Sequence, residues 1–406
     1  MTTLELLDRP TTIDVKALPP TTVVPPTPPD APPPVVRSIR GFSSEDLRDL
    51  AGAAFSSLCT SLLLFGRLTP LSGPFGFIVV TFAIFVVTYA FLLSLTRDRP
   101  AVVDKVVAVF LTSAALVAGV ALFSVIAFTL WRGRVALTKP NLYVHDMSRA
   151  GPADPLTVGG ISHAIVGTLL IISVSIILTV PLGLACAVFL NESRSRAATL
   201  VRTVVDAMTA LPSILAGLFI FATWILILGF ERSSLAASFA VSIMMLPIII
   251  RSADVVLRLV PGNLREASAA VGAPQWRTVW HVVLPTARSG LATSVILGVA
   301  RGVGETAPVL LTSGFTAALN LNPVKNPMVS LPLATFEFVR SPQPAMVARG
   351  FATAAVLMVV VLVLFAIARV LGGRPAGHVS AGQARRLAAR SVRDVKRFDG
   401  LEGVAR

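Results

Sequence analysis

The chain has 406 residues, of which 54% are hydrophobic and 14% charged. Soluble domains carry about a quarter charged residues, so this composition excludes an ordinary water-soluble globule. The net charge of +14 comes from Lys and Arg residues that fall mainly between apolar runs and in the tails, where they report membrane topology and not a nucleic-acid surface.

Taken in chain order, the sequence opens with a stretch from Pro19 to Pro34 that is dense in proline and nearly free of large apolar side chains. Such a composition favours polyproline II and cannot bury a core, so residues 1–44 are expected to form a disordered cytoplasmic tail. The prolines from Pro29 to Pro32 superficially suit an SH3-type groove; a spacer is the simpler reading, and no partner is assigned. No apolar segment of signal-peptide type occurs in the first forty residues, which points to insertion through the internal spans. The first apolar stretch, Ala51 to Phe65, is short for a span and is followed by Pro70, Gly73 and Pro74, as expected of a tilted or interfacial helix.

Stronger apolar runs follow at about 76–95, 104–131, 162–190, 205–230, 233–252, 289–315 and 350–372. Each has about the 20 residues that cross a ~30 Å hydrocarbon layer at 1.5 Å per residue. The expected fold is therefore an all-α integral membrane protein, a polytopic bundle of about eight transmembrane helices. Arg97, Arg99 and Lys105 mark one connection as cytoplasmic, and Arg194, Arg196 and Arg202 mark another. Alternation then places the 253–288 connection and the tail with Arg385, Arg386, Arg390, Arg393, Lys396 and Arg397 on the same side, with both termini cytoplasmic. The 132–160 connection resists: it must be external yet holds Arg132, Arg134, Lys139 and Arg149, which would suit a basic vestibule for an anion. Cys59 and Cys186 lie far apart in separate apolar runs and support neither a disulfide framework nor a metal site. His163, at the start of a span with no Cys or carboxylate at ligand spacing, reads as an interfacial residue. Pro181, Pro212 and Pro247 lie within or at the edge of runs and read as kinks.

The 253–288 connection contains Leu264 to Trp276, which reads as helix, turn, helix: good helix formers to Val271, Gly272 at a left-handed cap, and Pro274 opening a second helix. Its first helix is lined by Ala267, Ser268, Ala269 and Ala270, small enough for close approach to a partner, with Glu266 as a single anchoring charge near the N-terminus. In the second, Trp276, Val279, Trp280 and Val283 form one apolar stripe that Leu284 and Pro285 are expected to end. These residues resemble the cytoplasmic loop of ABC importer permeases, whose pattern is Glu-Ala-Ala, three residues, Gly, nine residues, Ile, one residue, Leu-Pro. Glu266, Ala267, Gly272, Leu284 and Pro285 match it without a gap; Ser268 replaces the second alanine and Val282 the isoleucine. The resemblance implies that Glu266, Ala267, Ser268 and Gly272 dock into an ATPase subunit and transmit its closure to the bundle.

The following run places Arg301 about thirteen residues past Arg288, or roughly 20 Å along a helix, and so deep in the hydrocarbon layer. A central arginine there costs about 2.5–3.5 kcal/mol and must face protein or a water-filled path. Glu305 is expected one helical turn on, on the same face; Gly298, Gly302 and Gly304 allow close packing and Pro308 a kink. A desolvated guanidinium is a planar donor array for a tetrahedral oxyanion. Phosphate at neutral pH still carries protons and can donate one to a carboxylate, which sulfate cannot, so Glu305 would favour phosphate. The pair could equally be a buried salt bridge that locks helix register.

The string Ala300-Arg301-Gly302-Val303-Gly304-Glu305-Thr306-Ala307-Pro308 resembles the Ala-Arg-x-x-Gly-Glu-Thr-Ala-Pro segment of phosphate ABC permeases of the PstA type. Gly159 to Leu169 and Leu211-Pro212-Ser213-Ile214 resemble two other segments of that family, and the likeness spans about 104–372. It implies a six-helix permease core (domain 99–375, with the coupling loop at 258–288) preceded by two extra helices (45–98) and followed by a basic tail (376–406). It also implies a substrate pathway at Arg301, Glu305 and Thr306, and a bacterial plasma-membrane location. The implied partners are a second permease subunit (PstC-like), ATPase subunits (PstB-like), an external phosphate-binding protein (PstS-like) and lipid, without a cofactor or covalent chemistry. No Walker-type phosphate loop is present, so ATP hydrolysis is expected from a separate subunit. Alternatives are a sulfate or molybdate permease, a PstC-type partner chain, and, from another class, an ion-driven secondary transporter; the last usually shows inverted repeats, and none is evident here.

Overall fold

The computed structural model describes residues 44–68, 73–193 and 195–373 and a few positions between 382 and 391. The proline-dense tail and most of the basic tail lie outside the described residues. Among the described residues every regular element is helical, and seven helices are long and apolar enough to cross a membrane, or eight if one bent pair counts as a span.

Cα packing divides the chain at Val117 and Ala118, inside a helix. The first unit holds α1 (Ser44–Leu63), α2 (Pro74–Ser94) and the start of α3 (Arg99–Leu137). The apolar stretch expected to be short becomes a 23-residue candidate span, Asp46–Leu68. Its helix begins on polar residues upstream of the apolar run and ends in a π-helical turn, Leu64–Leu68. α2 opens on Pro74, whose missing N–H falls where a helix has no acceptor for it. Asp46 is buried and ion-paired to Arg97 and, at 3.1 Å, to Lys105, so one carboxylate ties the start of α1 to the α2–α3 turn. The Phe85 and Tyr89 rings stack beside it, 5.8 Å apart.

The second unit begins with the rest of α3, which buries Gly133 against α14 (Pro344–Gly372); a Cβ there would stand 2.7 Å from the Ala352 nitrogen. Between these lie α4 (Asn141–Val144), α5 (Ser162–Glu192), α6 (Arg196–Thr209), α7 (Ser213–Ile220), α8 (Ser234–Arg258), α9 (Gly262–Ala270), α10 (Gln275–Thr278), α11 (Leu284–Val303), α12 (Ala307–Thr312) and α13 (Leu331–Val339). α5, α8 and α11 form the centre of the bundle. Hydrophobic force is weak between helices in lipid, so close approach and hydrogen bonds must hold them. Ser175 donates to the Ser238 carbonyl and Ser238 to that of Ile171, both at 3.1 Å, which stitches α5 to α8. α11 meets α8 through glycines: a Cβ at Gly290 would strike Val256, at Gly298 Ile249, and at Gly302 Met245.

Three expected spans are corrected. The 205–230 run is two helices: α6 stops at Thr209, and α7 with a π-helical continuation, Phe221–Ile227, departs at 106°. Pro212 occupies the N-cap of α7, so it marks a break and not a kink, whereas Pro181 and Pro247 do lie inside helices. The 289–315 run also divides, into α11 and α12, with Gly304 to Thr306 between them. Finally, Leu284 and Pro285 do not end the loop's second helix. α10 passes through a π-helical turn, Val279–Val283, straight into α11, so the candidate span runs Gln275–Val303. The wider turn removes the need for the N–H that Pro285 lacks.

The connections sort to two ends of this unit. At one end Met147 donates to the Ala317 carbonyl at 2.9 Å and Leu235 to that of Pro323 at 2.8 Å, so the 138–161, 228–235 and 313–330 segments meet. Asp146 joins them: the Ser148 hydroxyl at 2.7 Å and the Leu319 amide at 3.0 Å hold its carboxyl below the usual range. Here too lies Arg349, fully buried, whose guanidinium donates to the carbonyls of Pro155 at 2.8 Å and Val158 at 2.6 Å. At the other end, Arg265 of the long connection pairs with Glu192 at the end of α5.

Candidate functional site

Two constellations carry chemistry, one at each end of α11. At its N-terminal end, α9 stands clear of the bundle and buries none of its residues. Its anchor is Arg265, which reaches Glu192 Oε1 at 2.9 Å and Asn191 Oδ1 at 2.8 Å; Gln275 holds the other Glu192 oxygen at 3.2 Å. Ser268 shares a 2.8 Å hydrogen bond with Thr278, tying α9 to α10. Glu266 and Ala267 are left exposed, and Glu266 has no partner among the described residues. Gly272 ends the helix at φ +77° with open space around it. The expected apolar stripe is divided: Val279 and Val283 are buried, whereas Trp276 and Trp280 are 60% and 66% exposed. α9 is thus a knob fixed at its base and bare at its tip.

A side chain at Gly272 meets no steric barrier, so its cost is purely that of the left-handed backbone, about 1–2 kcal/mol. Gly272→Val is expected to open the α9–α10 turn about 5- to 30-fold more often, and Gly272→Asn much less, since Asn tolerates this region. Limited trypsin cleavage at Arg265 or Arg277, in the helices that flank the turn, measures the difference. Equal cleavage of the two variants would show that the turn does not require this conformation.

At the C-terminal end, Arg301 stands in the last turn of α11, and Glu305 lies just beyond the helix, which closes at Gly304. This corrects the expectation of a mid-span arginine and an intrahelical pair: the run breaks at Gly304, so Arg301 falls two residues from the end of α11. The pair forms nonetheless, with Arg301 Nε 3.2 Å from Glu305 Oε1. Its members differ sharply in exposure, Arg301 being 55% accessible and Glu305 7%. Although close, Glu305 Oε1 is poorly aligned and accepts no hydrogen bond among the described residues. The terminal nitrogens of Arg301 likewise have no partner among the described residues. Glu305 therefore holds the guanidinium from behind and leaves its fork directed outward. Thr306, half-buried, occupies the N-cap of α12 without a side-chain cap.

The break also joins two segments that the sequence singled out separately. α12 packs on α7 so tightly that a Cβ at Gly217 would lie 2.6 Å from Pro308 Cα, and the Ser213 hydroxyl reaches Glu305. Ser213 and Gly217 of α7 thus buttress Glu305 and Pro308.

Exposed positions of α11 recur at Thr293, Leu297, Arg301 and Gly304, and those of α8 at Arg251, Val255 and Arg258. α8 and α11 run antiparallel, since Val256, Ile249 and Met245 meet Gly290, Gly298 and Gly302 in turn. Counting about 100° per residue from these contacts, both exposed sets fall on one side of the helix pair. That open side carries Arg251, Arg258, Thr293 and Arg301 among apolar positions such as Val255 and Leu297. On this face Arg251 pairs with Asp206 of α6, and Arg202 and Arg258 both approach Asp254, at 3.7 and 2.8 Å. Sequence reasoning left Arg251 and Asp206 unremarked because each falls inside a separate expected span, 233–252 and 205–230, with no opposite charge beside it in its own run. The spacing of Arg251, Asp254 and Arg258 at three and four was the available signal.

Residues 179–376 match the family model described as the binding-protein-dependent transport system inner membrane component. The chain is 37% identical over 264 residues to phosphate transport system permease protein PstA 1 of Mycobacterium tuberculosis strain H37Rv, covering 65% of this chain and 85% of the relative. It is 35% identical over 219 residues to PstA of Xylella fastidiosa strain Temecula1, covering 53% and 76%. A chain of the MetNI methionine ABC transporter, in inward facing conformations, aligns at 19% identity with a TM-score of 0.42, covering 52% of this chain and 92% of that one. The multi-pass helical bundle, the two matched motifs and the extent of the PstA likeness lead to one assignment: the chain belongs to the PstA-type permeases of the binding-protein-dependent transport system inner membrane component family.

Proposed function

We propose that this chain is the permease subunit of an ATP-driven importer of inorganic phosphate and forms half of its translocation pathway. The observation that carries the proposal is the outward fork of Arg301 backed by the buried carboxylate of Glu305. A guanidinium gives two parallel charge-assisted hydrogen bonds to a tetrahedral oxyanion. Glu305 stands behind the guanidinium with Oε1 shielded from solvent, so its part is to hold the fork in place for the anion; the choice of phosphate over sulfate follows the likeness to PstA.

In this reading Arg301, Glu305 and Thr306 line the pathway, and the open α8–α11 face is completed by a second, PstC-like permease chain. The α9 knob, through Glu266, Ala267, Ser268 and Gly272, docks into a PstB-like ATPase, and a PstS-like protein delivers phosphate from outside. Residues 99–375 make the permease core, with two additional helices before it and a basic tail after it. Both termini are cytoplasmic, which puts the bare α9 knob on the side where ATP is hydrolysed by the separate subunit. The 138–161, 228–235 and 313–330 segments then face outward, so Arg149 and its basic neighbours surround the entrance.

Coupling is tested at Glu266. Its replacement by alanine is expected to lower ATP-driven phosphate uptake at least about tenfold, the scale of one lost 1.4 kcal/mol contact, while the complex still inserts and hydrolyses ATP. Uptake at the unmodified rate would remove α9 from this role.

A further inference from the structure

The Arg251–Asp206 pair lies on the open face of the bundle and is spent by nothing described above. Both side chains are half exposed, at 53% and 50%, so burial does not explain the pair, and exposed pairs contribute about 0–1 kcal/mol to stability. Arg251 is well inside the candidate span Ser234–Arg258, where an arginine is costly unless it serves a polar path. Asp206 comes from α6, the first arm of the span that breaks at 106°. The pair therefore bridges the arm of a bent segment to the central helix α8.

Its height is fixed by the glycine contacts. Ile249 faces Gly298 and Met245 faces Gly302, so Arg251 stands level with a point roughly five residues before Arg301 on α11, or about 8 Å along the axis. It is displaced from Arg301 toward the α9 end and lies on the same side of the α8–α11 pair. An anion that leaves Arg301 in that direction next meets a guanidinium already occupied by a carboxylate.

We infer that Arg251 is a second anion-handling residue of the pathway and that Asp206 is its internal counter-ion, forming a gate that the passing oxyanion opens by displacing the carboxylate. The inference rests on the assignment of Arg301 as the first anion contact. Asp206 neutralises Arg251 while the path is empty and returns when the anion departs, so no permanent deep site traps the substrate. Because α6 carries the carboxylate, release of the pair also frees the bent arm from α8. The contribution of Arg251 is thus its sign and fork, and that of Asp206 its readiness to yield.

A charge exchange separates this role from a structural one. The assembled transporter in proteoliposomes with internal ATP is assayed for labelled phosphate uptake, with subunit co-purification as the measure of assembly. The single variant Arg251→Asp places two carboxylates together and is expected to lose at least nine-tenths of uptake. In the double variant Asp206→Arg with Arg251→Asp the pair re-forms in reverse. A structural bridge would then be restored and uptake with it, which would overturn the inference. The gate predicts an assembled complex whose uptake stays below about a tenth of normal, because the guanidinium no longer projects from α8. Where the exchanged pair does not assemble, the neutral double variant Arg251→Gln with Asp206→Asn replaces it. Uptake kept in that variant overturns the inference, and uptake lost with assembly intact supports it. Arg301→Gln is run in parallel: if it transports normally the pathway assignment itself fails, whereas normal transport by the exchanged pair alone removes only the gate.

Discussion

Arg301→Gln is expected to reduce phosphate uptake by roughly 100-fold or more while the chain still inserts and assembles. The loss is estimated from the two charge-assisted hydrogen bonds that the fork offers, each worth about 1.5–3 kcal/mol, against 1.4 kcal/mol for each factor of ten. Folding should survive because the Arg301 side chain is 55% exposed and its ion pair with Glu305 is poorly aligned. Arg301→Lys distinguishes charge from geometry. A lysine keeps the positive charge but not the planar pair of donors, so an intermediate loss is expected, nearer tenfold. Initial rates of labelled phosphate entry, normalised to transporter recovered from the membrane, provide the measurement. If the lysine variant transports as well as the unmodified chain, the site needs only a point charge and the fork has no role.

The second large effect is structural. Gly302→Leu is expected to prevent recovery of a folded chain from the membrane. A Cβ alone at this position runs into the Met245 side chain, with Val241 Cγ1 at 3.2 Å, and overpacking a tight contact costs about 1–3 kcal/mol even where neighbours can move. Here they are confined, since Met245 and Val241 are both fully buried between α5, α8 and α11. Gly304, two residues on, is the control. A Cβ there has only the Arg301 carbonyl within reach, at 3.9 Å, and its φ is −85°, so Gly304→Ala should fold as the parent does. Detergent-extracted yield and thermal unfolding of the two variants compare them directly. A Gly302→Leu chain that melts with the parent would mean that α8 and α11 are not packed this closely.

Much of this arrangement was legible in the sequence, and the exceptions have a common physical origin. Apolar length identifies spans because lipid demands about 20 apolar residues and satisfied backbone groups. It does not register where a helix turns while remaining apolar. That is why 205–230 and 289–315 read as single spans although Pro212 and the Gly304–Thr306 segment break them. The opposite error arose at Leu284 and Pro285, where proline reads as a stop but a π-helical turn carries the helix through. Arg301 was misplaced along its span because the run breaks at Gly304.

The candidate site residues drew notice for a different reason. Arg301 and Glu305 are charges in an apolar run, Gly272 is a glycine at a cap, and Glu266 stands at the head of a spaced loop pattern. The geometry adds what spacing could not supply: Glu305 is buried behind Arg301 and not beside it, and Ser213 and Gly217 buttress the same break. Arg251 and Asp206 lay beyond sequence reasoning because they belong to separate helices and meet only through the bend of α6 against α8.

The most direct measurement is phosphate uptake into ATP-loaded proteoliposomes by the double neutral variant Arg301→Gln with Glu305→Gln, with excess sulfate as competitor against the unmodified transporter. The expected result is uptake that sulfate does not suppress in the unmodified protein, and no uptake above background in an assembled double variant. Phosphate entry at an unaltered rate through the double variant would contradict the assignment of this helix break as the place where the anion passes.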